Sequence, residues 1–297
     1  MIYRTDFKIN SLNVRLISPV IFGNIVKTYF DIMDQNEVLL QLQKLLNSNT
    51  LISDMLLLNQ LPVNSFNAET FHGQSDVIRE KRKHYREWKK NSRFHCSLGE
   101  IENIRPRTQI NRKTGTVDEG YLFNETNYIY DRNKTYCFYV YTKDKKVVDL
   151  METALKVIEL TGMGTDISIG TGKIDFIKTE TGRIFKEDKQ MLALFDNGNE
   201  GYQLNLASTI FFKQVMDDVK FIKYKTLRYD GKSLKIVKPP YFYADRGCII
   251  KCKSARPYIS EYIQDNQKIF IYTCVFPLKI NRPEGKSDGY NPLNQQI

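Results

Sequence analysis

The first residues alternate apolar and polar positions. Residues 3–9 and 11–17 (YRTDFKI and SLNVRLI) each predict a β-strand. Ser18 followed by Pro19 then reads as an N-cap with proline at the first helical position. Phe22, Val26, Tyr29 and Met33 recur at i, i+4, i+7 and i+11, one apolar helix face. The next run, EVLLQLQKLLN, aligns Val38, Leu42 and Leu45 on a second helix. LISDMLLLNQLPV is a short apolar piece ending at Pro62. Residues 64–124 are polar, basic and irregular, with a helix near 76–92 and a loop-rich stretch after it. Apolar alternation returns at 136–141 as a strand. Val148, Met151, Leu155 and Ile158 then define a helix that Gly162 stops. A glycine-rich loop follows, and KIDFIK reads as a strand.

This order is strand, helix, insert, strand, helix, loop, strand. A split βαβ, or ferredoxin-like, unit has it, as does the RNA-recognition fold. After residue 178 the chain is strand-rich, with hairpin signals in KTETGRIF, in the NGNEG turn at 197–201 and in RYDGKS at 228–233. The expectation is an α+β protein of two ferredoxin-like modules. The first covers 1–178, with a basic insert at 64–124 and the Gly-rich loop at 162–172. The second covers 179–297. The segment 281–297 is polar with Pro and Gly, and reads as loose or laid over a partner.

Composition narrows the function. With 41% apolar and 26% charged residues over 297 positions, the chain is globular. No run of 18 apolar residues exists, so no transmembrane helix and no membrane partner are expected. The polar start, MIYRTDFKIN, lacks a signal-peptide core, which points to the cytoplasm and to reduced cysteines. The net charge of +10 is uneven. Residues 79–113 hold 12 Lys/Arg against 4 Asp/Glu, whereas the other 262 hold 32 against 30. A basic zone on a near-neutral body is the footprint of a polyanion site. In RKHYREWKK, Tyr85 and Trp88 sit among the charges, which suits stacking on bases. It equally suits a helix that buries two aromatics and exposes its lysines.

The segment Gly162-Met-Gly-Thr-Asp-Ile-Ser-Ile-Gly-Thr-Gly172, followed by Lys173, is the most informative. A Walker loop needs Gly at position 167 and Ser or Thr after the Lys; Ile167 and Ile174 occupy those places. A dinucleotide fingerprint fails as well, because its third Gly is missing and the loop precedes a strand. A helix cap and a bulge would use two of the four glycines. The other two point to backbone N–H groups approaching a phosphate, with Lys173 directly after them.

These pieces together resemble the RAMP superfamily of CRISPR effector proteins, whose mark is a Gly-rich loop between the last helix and last strand of a ferredoxin-like domain. Within it the chain looks most like the type III-A (Csm complex) subunit that caps the crRNA 5′ end. Ser18-Pro-Val-Ile-Phe-Gly23 sits where that family has its helix start. Leu51-Ile-Ser-Asp54 with Leu61-Pro62 is similar to its LSDAFP…LPKP stretch. Arg112-Lys-Thr-Gly115 with Gly120-Tyr-Leu-Phe123 is similar to its R-x-TG…G-x-LF loop. Arg246-Gly-Cys-Ile-Ile-Lys251 is similar to a G-S-V-F element. Thr165, Asp166 and Ile167 stand where the family loop usually carries Gly-Gly and basic residues.

The resemblance implies a non-catalytic subunit that binds the repeat-derived 5′ tag of the crRNA and docks the large polymerase-palm subunit to the backbone RAMP subunits. It implies RNA contacts from Gly162, Gly164, Ser168, Gly170, Gly172 and Lys173, from Arg105, Arg107, Asn111, Arg112 and Lys113, and from Arg246 and Lys251. It also implies a projecting hairpin over 105–123 whose Tyr121 and Phe123 meet a neighbouring subunit or wedge a base. Their plainer reading is as anchors of the loop to its own domain. Two alternatives remain: a RAMP endoribonuclease that processes repeat RNA, and a structural RNA-binding module outside CRISPR.

For catalysis the residues offer little. His72, His84 and His95 all fall in the basic insert, and His84-Tyr85-Arg86 has the residue types of a metal-free RNase. A histidine among lysines has many other reasons to be there. Cys248 and Cys252 lack a second ligand pair at zinc spacing. No metal and no cofactor are expected.

Overall fold

A computed structural model describes residues 1–62, 100–110, 117–164, 167, 170–196, 198, 201–229, 232–233, 236–237, 240–264 and 267–279. In the first part, β1 (Ile2–Ser11) leads to α1 (Ser18–Ile32) and α2 (Gln35–Asn47). Then come β2 (Leu51–Ile52), β3 (Leu56–Leu57), the long strands β4 (Glu100–Ile110) and β5 (Val117–Tyr130), and β6 (Tyr136–Tyr141). α3 (Lys145–Thr161), β7 (Lys173–Ile177) and β8 (Phe185–Glu187) follow. The second part runs α4 (Lys189–Leu194), β9 (Gln203–Asn205), β10 (Thr209–Ile210), α5 (Lys213–Asp218) and β11 (Val219–Lys223). It continues with β12 (Thr226–Tyr229), β13 (Lys232–Ser233), β14 (Ile236–Val237), β15 (Tyr241–Ala244) and β16 (Ile249–Cys252). The hairpin strands β17 (Tyr258–Gln264) and β18 (Gln267–Thr273) and then β19 (Pro277–Lys279) close the described chain.

The first sheet has the order β2-β6-β1-β7 with antiparallel neighbours. Alternation in β1 sends Phe7 and Ile9 to one face, opposite Phe176 and Ile174 of β7. Phe7 packs there on Tyr136, Phe138 and Phe176 at ring separations of 6.3, 6.1 and 5.8 Å. Burying such an aromatic contributes about 1.5–3 kcal/mol, and its neighbours supply the geometry aromatic pairs prefer. α1 and α3 lie against each other and bury Ile21, Phe22, Ile25 and Tyr29, and Val148, Met151, Leu155 and Ile158. Asp34 caps α2, its Oδ1 accepting from the Asn36 and Glu37 amides. Gly162 caps α3 at φ +93°, its N–H donating to Ile158 O at 2.7 Å.

A four-stranded sheet in the second half has the order β11-β16-β9-β19. Counting along the chain only the strands on each sheet's main path, and so leaving out β3 on β6 and β8 on β1, both sheets read 2-3-1-4 and both are antiparallel. Each also carries its excursion between strands 2 and 3: the β4–β5 hairpin in the first, and β12 to β15 in the second. Where the first sheet has α3 between its third and fourth strands, the second has the β17–β18 hairpin, which packs on α1. Phe22 stacks on Tyr272 across that contact at 4.5 Å. The larger apolar core runs through both halves, from Phe7 and Ile25 to Cys248 and Phe276.

Several local expectations change. Residues 12–17 carry no regular structure, so the strand expected at 11–17 is absent. Asn13 and Val14 lend their carbonyls to Tyr128 and Tyr130 instead. Ser18 is the first helical residue rather than the cap, and its amide donates to Asp54 Oδ1 at 2.7 Å. KTETGRIF makes a tight turn, with Thr179 N–H on Arg183 O, but no hairpin. β7 and β8 lie end to end along β1, pairing with residues 6–11 and 3–5, so the first sheet extends past residue 178. The helix expected near 76–92 lies outside the described residues.

Candidate nucleic-acid interface

β4 and β5 form one antiparallel ladder, with Glu100 opposite Tyr130 and Ile110 opposite Val117. The hairpin expected over 105–123 is therefore longer, reaching back to the core at Asn127 and Tyr130. Its register sets Arg105 opposite Glu125 and Arg107 opposite Phe123. Tyr121 lies on β5 two residues before Phe123. Asn111, Arg112 and Lys113 lie outside the described residues, as does Ser168.

The foot of this hairpin and the glycine loop meet on one short segment. Tyr128 N–H donates to Asn13 O at 3.2 Å, and the Tyr130 hydroxyl to Val14 O at 2.8 Å. From the other side Gly164 presses on the same Val14. A Cβ at 164 would lie 2.7 Å from Val14 Cγ2, closer than real contacts allow. Leu12 to Val14 thus joins the two features that the sequence singled out separately.

Within the loop, most of the described amides already have internal acceptors. Met163 N–H donates to Gly172 O, Gly164 N–H to Asn24 Oδ1, Gly170 N–H to Ile167 O, and Lys173 N–H to Ser11 Oγ. The Ser11 hydroxyl in turn donates to Gly170 O at 2.9 Å. A Cβ at Gly172 would stand 2.3 Å from Met163 O, so this glycine permits two backbone strands to close on each other. Three of the four glycines are thus required by the fold: Gly162 as a cap, Gly164 for Val14, and Gly172 for Met163. Two structural glycines were expected. Gly170 differs: its φ is +86°, it is exposed, and nothing stands within 4 Å of its Cβ position. Lys173 is exposed beside it at the start of β7. Ser11 and Asn24, which tie the loop to β1 and α1, were not singled out from the sequence. The polar pair Asn10-Ser11 closing an otherwise buried strand is the one sign of them.

Arg246 is not at this surface. It is 3% exposed, and its guanidinium donates to Met55 O inside the fold. Close by, the buried Asp54 accepts from Ser18 N–H, Ser208 N–H at 2.8 Å and the Ser208 hydroxyl at 2.6 Å. Burial pushes the Asp54 carboxyl up, while Arg246, Arg15 and Ser208 pull it back down. Arg246 therefore belongs to the network that joins α1 to the second half, and it is corrected from an RNA contact to a structural residue. Lys251 is half-buried on β16, its ammonium 4.7 Å from the centroid of the Tyr202 ring.

No group of three or more His, Cys, Asp or Glu side chains with metal-ligand spacing occurs among the described residues. The three histidines lie outside them. Cys248 and Cys252 are both buried, and burial pushes each thiol up to about 12, so neither is a ready thiolate. Among the described residues, no helix is long and apolar enough to cross a membrane.

No family model matches the chain, and no curated protein matches it in sequence. Solved structures do match. A chain of the Csm1–Csm4 cassette in complex with cA4 aligns at TM-score 0.56 and 13% identity, over 96% of this chain and 99% of that one. A chain of the same cassette with pppApA gives 0.55 and 12%, over 96% and 99%. A chain of the Csm3–Csm4 subcomplex of the type III-A CRISPR-Cas interference complex gives 0.53 and 15%, over 95% and 99%. At this identity the likeness establishes a common fold, end to end in both directions. Csm4 is the component these assemblies share.

Proposed function

We propose that this chain is the RAMP subunit of a type III CRISPR effector complex that holds the 5′ repeat tag of the crRNA and joins the large subunit to the backbone subunits, without catalysing a reaction itself. The observation that carries this is the two-way, full-length fold match to chains from two assemblies whose shared component is Csm4. The repeated 2-3-1-4 strand order supports reading the chain as two ferredoxin-like modules, 1–178 and 179–297, working in the cytoplasm.

The guide RNA is taken up where the hairpin foot and the glycine loop meet. Gly170 and Lys173 form the open side of the loop. With the amides of 162, 163, 164, 170 and 173 already bonded, these five N–H groups take no part in a backbone cradle. Arg105, Arg107, Asn111, Arg112 and Lys113 neutralise phosphates along the hairpin. Tyr121 and Phe123 meet a splayed base or a neighbouring subunit. Lys251 contributes from the second module.

Replacing 111–120 with a short Gly linker tests this reading. The variant should remain folded and be excluded from the assembled complex, or enter it without guide RNA. A variant that assembles and retains RNA like the parent would remove the hairpin from the site.

A further inference from the structure

Outside 79–113 the chain averages to near neutrality, but that average hides a second imbalance. Residues 219–244 hold seven Lys/Arg (220, 223, 225, 228, 232, 235 and 238) against one acidic residue, Asp230. Six aromatics fall in the same 26 positions. The remaining 236 residues outside both zones therefore carry 25 basic and 29 acidic side chains, a net of −4.

The fold gathers part of this segment into one surface. β15 pairs with both β10 and β12. One face of that sheet turns Leu227, Tyr229, Tyr241 and Tyr243 onto Ile17, Ile210 and Ile271. The opposite face carries Arg228 directly across from Phe242, which is 58% exposed. Phe211 N–H donates to Phe242 O, bringing Phe211 alongside. The Phe211 ring in turn meets Phe221 at 5.2 Å and Tyr224 at 5.7 Å, and Tyr224 is 43% exposed. A continuous aromatic track therefore runs from Phe242 through Phe211 and Phe221 to Tyr224. Exposed Lys223 and Lys225 flank Tyr224 along the chain.

Lys220 and Lys251, opposite each other on β11 and β16, lie on the other face of that sheet from Phe221 and Ile250, and they take no part in this surface. Exposed cationic side chains beside exposed aromatic rings fit a ligand that brings both phosphates and flat bases.

We infer that the surface formed by Lys223, Tyr224, Lys225, Arg228 and Phe242 is a second binding site for single-stranded RNA, built on the second half of the chain. Bases stack on Phe242 and Tyr224, and the lysines follow the backbone. The inference goes beyond the proposed tag-binding role and does not depend on which RNA the first site holds.

The test uses the full chain and an oligouridylate of about 20 nucleotides containing 4-thiouridine. After irradiation, peptide mapping should find crosslinks at Tyr224 or Phe242. Replacing both by Ala should weaken binding about tenfold or more, since each base–aromatic stack is worth a large factor. Lys223→Gln with Lys225→Gln should flatten the salt dependence by about 1.4, at roughly 0.7 per single-strand phosphate contact. Both side chains are exposed, so the same variant should melt like the parent; that control separates lost binding from lost fold. Crosslinks confined to 79–130 with unchanged affinity in both variants would overturn the inference. So would variants that keep their RNA and instead lose a co-purifying protein subunit. Deletion of 111–120 leaves the crosslinks at Tyr224 and Phe242 in place if this inference holds, so the two sites stand or fall separately.

Discussion

Gly172→Ala and Gly170→Ala change the same residue type, two positions apart, at nearly the same φ: +87° and +86°. A β-carbon in this left-handed region costs about 1–2 kcal/mol at either site. At Gly170 that is the whole cost, because its Cβ would enter open space. At Gly172 the new carbon would lie 2.3 Å from Met163 O, 3.0 Å from Met163 N and 3.1 Å from Met163 C. All three are backbone atoms, so no side-chain rotation relieves the clash. The backbone must separate, and the 2.8 Å bond from Met163 N–H to Gly172 O goes with it. A lost buried hydrogen bond adds about 0.5–1.5 kcal/mol, and the displaced chain at least as much again. The totals are about 1–2 kcal/mol at 170 and about 3–4 kcal/mol at 172. At roughly 2–3 °C per kcal/mol for a domain of this size, thermal melts should fall by about 3 °C and about 9 °C. RNA binding should respond in the opposite sense: Gly170→Ala should impair it more than its small stability loss explains. Equal melting losses at the two positions would refute the assignment of Gly172 to the fold and Gly170 to the surface.

Asp54→Ala should cost about 3–5 kcal/mol, because it orphans three donors and removes the carboxylate charge that Arg246 and Arg15 act on. A denaturation midpoint within experimental error of the parent would contradict that. Glu152 tests acid sensitivity. Burial alone would raise its carboxyl, but hydrogen bonds from Lys156, Arg183 and the Ile184 amide outweigh burial and hold it below its ordinary 4.5. A depressed folded value stabilises above 4.5 and is lost as the pH falls through it. Arg183→Ala should therefore melt below the parent at pH 7, with the gap closing on the acid side of 4.5; a gap constant with pH would refute the linkage. Removing Arg105 and Arg107 together should flatten the salt dependence of guide-RNA binding by about 1–2 units, and an unchanged slope would mark them as surface charge.

What the sequence revealed follows from how far each signal reaches along the chain. The faces of α1, α2 and α3 were readable because apolar spacing is local, and Gly162 was readable because a helix end needs a left-handed residue. Ser18 misled because its acceptor is Asp54, 36 residues away, so a side chain that looked like a cap had no need to be one. KTETGRIF looked like a hairpin because its turn is real; only the length of β1 shows that the flanking strands share a partner instead of each other. Residues 162–172 do lie between α3 and β7, but the division of labour among their glycines was hidden. Val14 and Met163 decide what Gly164 and Gly172 do, and neither contact has a signature in the loop itself. Arg246 shows the opposite failure, a basic residue in a promising motif whose burial only the packed core determines. The aromatic surface around Phe242 escaped notice because its members come from β10, β11, β12 and β15.

The central claim is that this chain holds one defined end of a guide RNA. The most direct measurement is to purify the tagged chain from its native host with its complex, extract the bound RNA and sequence it from the 5′ end. The account predicts molecules that share one repeat-derived 5′ segment followed by variable sequence, together with a large subunit and backbone subunits in the same particle. Bound RNA with heterogeneous 5′ ends and no common repeat segment would contradict it.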